Sequence, residues 1–141
     1  MRHQLQTEIV FDTEAASDIR GNTGPYLMYA HARAAGVLRR AGRSDAKAPA
    51  PNSLEDAERL LLTLLAEWPE RLEDAALQLN PTGVATYAYQ LADAFNRFYE
   101  HCPILRAAEP RQSFRLALTA RAKATLADAL DMLGVPAPDE M

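Results

Sequence analysis

Apolar residues recur along this chain at three- and four-residue steps, the period of a helix face. The longest such stripe is Val84, Tyr87, Ala88, Leu91, Ala94, Phe95, Phe98 and Cys102. It predicts a helix that starts at Pro81, with Asn80 as N-cap, runs to about His101 and is stopped by Pro103. An earlier helix begins near Thr23, a suitable N-cap with Pro25 in the first turn, and runs to about Ala41. Gly42 then stands where a left-handed C-cap belongs. Ser53, with Asp56 three residues on, opens a strongly apolar helix, "LEDAERLLLTLLAEW". Trp68-Pro69 predicts a kink or break there, with a shorter helix over about 70–79, because proline removes a helical donor and disfavours the helical region for its predecessor. Pro110 opens the last helix, which carries Phe114, Leu116, Leu118, Leu126, Leu130 and Leu133 and ends at Gly134 and Pro136.

Between the helices, "RSDAKAPAPN" over 43–52 is a polar connector without periodicity. The only candidate strand is "EIVF" in the first 21 residues, where "TEAASDI" is a short helical candidate. The predicted fold class is all-α, a bundle of four or five helices with mostly short loops. Residues 1–21 read as an extension, whose apolar residues have no local partner, and residues 22–141 as the helical domain.

A length of 141 residues suits one domain with a real core. The formal net charge of −4 argues against a uniformly basic nucleic-acid coat, but the distribution changes that picture. From Arg20 to Arg43 there are Arg33, Arg39 and Arg40 besides the two ends, and no acid. From Arg106 to Lys123 come Arg111, Arg115 and Arg121 against Glu109 alone, while the middle holds Glu55, Asp56, Glu58, Glu67, Glu70, Glu73 and Asp74. If the first and last helices lie side by side, their positive charge adds into one patch. Cys102 is the only cysteine, so no intrachain disulfide forms and a cytoplasmic, reducing setting is expected. No apolar run approaches membrane-spanning length, and "MRHQLQTEIV" lacks the apolar core of a signal peptide, so no membrane partner is expected.

On a helical wheel of the first helix, Tyr26, Tyr29, Arg33, Val37 and Arg40 share one arc, beside a core stripe of Leu27, Ala30, Ala34, Leu38 and Ala41. Aromatic rings offer stacking faces to unpaired bases, and arginine adds bidentate phosphate or base-edge hydrogen bonds. The competing account of the same tyrosines is core-edge packing with the hydroxyls in water. His31 lies off this ridge and reads as a packed or hydrogen-bonded helix histidine. His101-Cys102 reads as a buried thiol beside a cap histidine rather than a nucleophile or metal pair. Tyr99 turns away from its helix's main stripe and reads as a surface or groove aromatic. The pairs Glu55/Asp56 and Glu73/Asp74 read as solvated faces, and there is no phosphate-cradling glycine loop and no metal-ligand spacing.

Several separated segments then resemble one family in the right order. "GNTGPYLMYAHAR" (21–33) is similar to the opening of the anticodon-binding domain of arginyl-tRNA synthetases. "LADAFNRFYEHCPIL" (91–105), "RLAL" (115–118) and the ending "LGVPAPDEM" continue the match, and "EIVFD" (8–12) resembles the stretch where the family's catalytic domain hands over to the helical one. The resemblance implies an α-helical bundle named for an Asp-Ala-Leu-Arg motif, although this chain has "LALTARA" in the corresponding region. It implies docking of the anticodon loop of arginine tRNA, with no role for DNA. Tyr26, Tyr29, Arg33, Tyr99 and Met141 would surround an unstacked base, with Arg40 beside them. Met28 stands where the family commonly has glutamine.

The His-Ile-Gly-His and Lys-Met-Ser-Lys-Ser type signatures of the family's ATP site do not occur here, so the chain alone is expected neither to activate arginine nor to hold a cofactor. The parent enzyme would supply ATP, magnesium and a catalytic domain as a further partner. The rival to an RNA-binding module is a free-standing helical interaction or oligomerisation module, in which the ridge packs against another chain or beneath residues 1–20. A small enzyme built on His31, His101 and Cys102 has no supporting constellation.

Overall fold

The computed structural model describes residues 24–44, 47–79 and 81–141. The "EIVF" and "TEAASDI" segments, Arg20 and the caps Thr23 and Asn80 lie outside the described residues. The rest is all-α: α1 (Gly24–Ala41), α2 (Asp56–Gln78), α3 (Pro81–His101) and α4 (Arg111–Met132). Each predicted terminator acts as the sequence implies. Gly42 takes the left-handed conformation at φ 70° with its N–H on Leu38 O at 2.9 Å, and Gly134 is left-handed at φ 71° after α4.

The α3 stripe is the spine of the core. Val84, Tyr87, Ala88, Leu91, Ala94, Phe95, Phe98 and Cys102 are all buried. They meet Leu27, Ala30, Ala34 and Val37 of α1, Leu61 and Leu65 of α2, and Phe114, Leu116, Leu118, Leu126 and Leu130 of α4. Helices α1 and α2 each pack on both α3 and α4, which form the middle of the bundle. Burial of these side chains at ~25 cal/mol per Å² is the main term favouring the fold. Leu133 remains only partly buried.

Three expectations are corrected. First, Trp68-Pro69 does not break its helix: α2 is continuous from Asp56 to Gln78, with Pro69 inside it. Proline leaves the Leu65 carbonyl without its helical donor, but tertiary contacts hold the segment. Trp68 stacks on Tyr87 with ring centroids 5.2 Å apart, and the Tyr87 hydroxyl donates to Leu64 O, the neighbouring carbonyl, at 2.6 Å. Secondly, the N-cap of α2 is Glu55, not Ser53. Glu58, not Asp56, reaches back to the cap, accepting from the Glu55 N–H at 2.9 Å.

Thirdly, α1 and α4 do lie together, yet their positive charges do not add into one patch. The Glu58 side chain is fully buried and accepts from Arg111 at 2.8 and 3.1 Å and from Arg115 Nε at 2.7 Å. Arg115 is itself buried and also donates to Pro103 O at 2.6 Å. Arg43 turns to Glu109, Gln112 and Ser113, and Lys123 pairs with Asp139 at 3.6 Å. Much of the basic charge near α4 is therefore taken up by internal carboxylates. What binds Glu58 also sets its acidity. Burial raises the pKa, but hydrogen bonds from Arg115, the Glu55 N–H and Arg111, with the Arg115 charge, outweigh it and hold the carboxyl below its usual range.

Candidate nucleic-acid interface

Tyr26, Tyr29 and Arg33 fall on successive turns of α1 because they are three and four residues apart. The face they share meets the edge of α3 that carries Asn96 and Tyr99. Arg33 is the centre of the arrangement. Its guanidinium lies 4.6 Å from the centroid of the Tyr29 ring and 4.4 Å from that of Tyr99. It donates to Asn96 Oδ1 at 3.0 Å and to the Tyr29 hydroxyl. All these partners are neutral, so the arginine is held in place with its charge uncompensated. Asn96 in turn donates from Nδ2 to the Tyr26 hydroxyl at 3.1 Å, and the Tyr26 ring rests 5.4 Å from Tyr89. Burial pushes the Tyr26 phenol above its ordinary pKa, so it stays protonated.

The C-terminal tail supplies the far wall. Gly134 turns the chain, and Val135 and Ala137 pack against the core. His31, only 3% exposed, donates from Nδ1 to Pro138 O at 2.7 Å, which fixes its tautomer and pins the tail to α1. This agrees with the packed, hydrogen-bonded role expected of it. Beyond the pin, Arg39 approaches Glu140 at 3.7 Å and Met141 is 68% exposed. Tyr29, Arg33, Tyr99, Arg40 and Met141 thereby line one open pocket of ≈ 440 Å³, with Arg39, Asp139 and Glu140 at its rim.

Of the six sequence-derived site residues, five meet in that pocket. Tyr26 lies next to it, in a cleft of ≈ 390 Å³ that shares Tyr29 and Arg33. Val37, which the wheel placed on the ridge, is buried in the core instead, because α1 is covered by α4 as well as α3 and its apolar face is wider than the stripe drawn. Arg40 stays exposed, folded back so that Nε donates to Gly36 O at 3.2 Å.

Asn96 escaped the sequence reading. The available signal was a residue of poor helix propensity between Phe95 and Phe98, in the middle of a helix, where only a specific partner justifies an amide. The His101-Cys102 pair has no chemistry: His101 is exposed, Cys102 is buried, and burial raises the thiol's pKa. Among the described residues no group of histidine, cysteine and carboxylate side chains could hold a metal, and no helix is long and apolar enough to cross a membrane.

Comparison with known proteins places this arrangement. The family model described as the DALR anticodon binding domain matches residues 27–141. An arginine–tRNA ligase of Cutibacterium acnes is 39% identical, covering 97% of this chain and 27% of its own length. That of Thermobifida fusca is 43% identical, covering 96% and 24%. The solved Thermus thermophilus arginyl-tRNA synthetase superposes with a TM-score of 0.85 at 36% identity, over 96% of this chain and 24% of that one. The chain thus spans about a quarter of the length of the relatives it matches.

Proposed function

The chain belongs to the DALR anticodon-binding domain family, and from that premise we propose that it is the module by which an arginine–tRNA ligase docks the anticodon loop of arginine tRNA. The observation that carries this reading is the convergence of Tyr29, Arg33, Tyr99, Arg40 and Met141 from two helices and the tail on one pocket. An unpaired base splayed out of the loop stacks on an exposed tyrosine face, a contact worth ~1–3 kcal/mol per base. Met141, flexible and apolar, covers the other face. Arg33 and Arg40 supply the positive field for the adjoining phosphates. A duplex offers no such face, which selects an RNA loop over double-stranded nucleic acid.

Amino-acid activation with ATP and magnesium belongs, in this reading, to a catalytic domain of the kind that occupies the remaining length of the relatives. The contribution of this chain is binding and orientation.

The test is titration, at low salt, of an arginine-tRNA anticodon stem-loop against an unrelated stem-loop. The first is expected to bind more tightly, and Tyr29→Ala is expected to lose ~1–3 kcal/mol of that binding only. Equal binding of both stem-loops by the wild type and the variant overturns the reading in favour of a protein-interaction module.

A further inference from the structure

The ridge contains a hydrogen-bond relay whose direction is fixed by chemistry alone. A guanidinium can only donate. The Asn96 amide atom that faces Arg33 at 3.0 Å is therefore its carbonyl oxygen, and the atom that faces the Tyr26 hydroxyl at 3.1 Å is its NH₂. The Tyr26 oxygen thus accepts, and its own proton remains for a group outside the protein. Arg33 treats Tyr29 the same way, donating to that hydroxyl as well. Both hydroxyls border the ≈ 390 Å³ cleft between α1 and α3, where the nearby Asp93 carboxylate is engaged by Arg97 at 3.1 Å. Asn96 is 9% exposed, so its amide has little freedom to flip or to seek water.

We propose that Asn96 is a positioning residue that sets the polarity of this surface: it makes the Tyr26 hydroxyl an outward donor, so that the cleft takes a hydrogen-bond acceptor on an unpaired nucleotide. The inference rests on the anticodon-loop reading for its ligand, but the relay itself does not. The acceptor is a base carbonyl, a ring nitrogen or a phosphate oxygen. A base that presents only an amino group at that point leaves the Tyr26 proton unmatched, which lowers affinity.

Asn96→Asp is nearly isosteric and separates polarity from packing. One carboxylate oxygen still accepts from Arg33, while the other now accepts the Tyr26 proton and turns that hydroxyl inward. In a double-mutant cycle on stem-loop affinity, Tyr26→Phe is expected to weaken binding roughly tenfold in the wild-type background and to cost nothing further in the Asn96→Asp background. The general repulsion between the new carboxylate and RNA is common to the single variant and the double variant, and cancels. An equal loss in both backgrounds overturns the proposal while leaving anticodon binding intact. Stem-loops with an abasic nucleotide at each loop position separate the acceptors: the Tyr26→Phe penalty vanishes at one position for a base atom and persists at all of them for a phosphate.

A second measurement needs no RNA. Ultraviolet titration of the phenolates, with the Tyr26 step assigned by its loss in Tyr26→Phe, is expected to show that step at higher pH in Asn96→Asp. There the donor that stabilises the phenolate is replaced by a negative acceptor. If the two stem-loops bind alike, the anticodon reading fails and this titration decides the relay by itself; a Tyr26 step unmoved by Asn96→Asp overturns it.

Discussion

Two arginines on facing sides of this bundle have opposite surroundings. Arg115 on α4 is buried against the Glu58 carboxylate, which Arg111 also grips, and its charge is neutralised within the fold. Arg33 on α1 is held just as fully, by an amide oxygen, a hydroxyl and two aromatic rings, yet none of these carries a charge. The first arrangement fixes helices: Glu58 joins the start of α2 to α4, and Arg115 ties α4 to the turn after α3 through Pro103. The second orients a cation and leaves its field to act on something outside. Two arginines that look alike in sequence thus serve stability in one place and recognition in the other, and the partner decides which.

The largest effect should come from breaking the neutralised site. Glu58→Gln leaves two guanidinium groups beside a neutral amide, and a loss of ~3–5 kcal/mol of stability is expected in urea unfolding. The same carboxyl gives a pH dependence. Its folded pKa lies below its unfolded value. Its contribution is therefore complete above the unfolded carboxylate pKa and is lost as pH falls through the folded one. Acid titration of stability should show a loss on the low-pH side that is smaller in Glu58→Gln; identical acid profiles would refute this assignment.

Arg33→Gln should act in the opposite sense. Stem-loop affinity should fall by ~1–3 kcal/mol with a shallower salt dependence, while stability changes by about 1 kcal/mol or less, since only neutral hydrogen bonds are lost. A stability loss rivalling that of Glu58→Gln would erase the contrast between the two sites. Tyr87→Phe tests a third kind of contact, the hydroxyl on Leu64 O beside Pro69. It should cost ~1 kcal/mol, and hydrogen exchange should quicken around Trp68 before it does in α3. Burial pushes the Tyr87 pKa up to about 12, so this contact should not weaken across the neutral range. Smallest of all, Arg39→Ala removes an exposed 3.7 Å pair with Glu140 and should move stability by less than ~0.5 kcal/mol.

Local rules sufficed for much of the fold. The period of the α3 stripe, Gly42 and Gly134 as left-handed terminators, and Pro81 and Pro103 as limits are properties of residues acting on their immediate neighbours, and each is realised as the sequence implies. The ridge of Tyr26, Tyr29 and Arg33 was legible for the same reason, because spacing along one helix fixes who shares a face. Pro69 was misjudged because the groups that carry α2 past it, Trp68 stacked on Tyr87 and the Tyr87 hydroxyl on Leu64 O, span two helices. The basic patch was misjudged because counting charges along the chain takes no account of Glu58 arriving from another element to neutralise two of them.

The sequence by itself determined the helices, their ends and the face each one buries, because those depend on interactions within a turn or two. Only the tertiary structure decided which charged and polar groups are satisfied internally and which remain available. That choice depends on partners far apart in sequence: Asn96 reaching Tyr26 and Arg33, His31 holding Pro138, and Glu58 between Arg111 and Arg115. Their pairing is fixed by the packing of the apolar faces, which brings them within hydrogen-bonding distance and removes the water that would otherwise satisfy them.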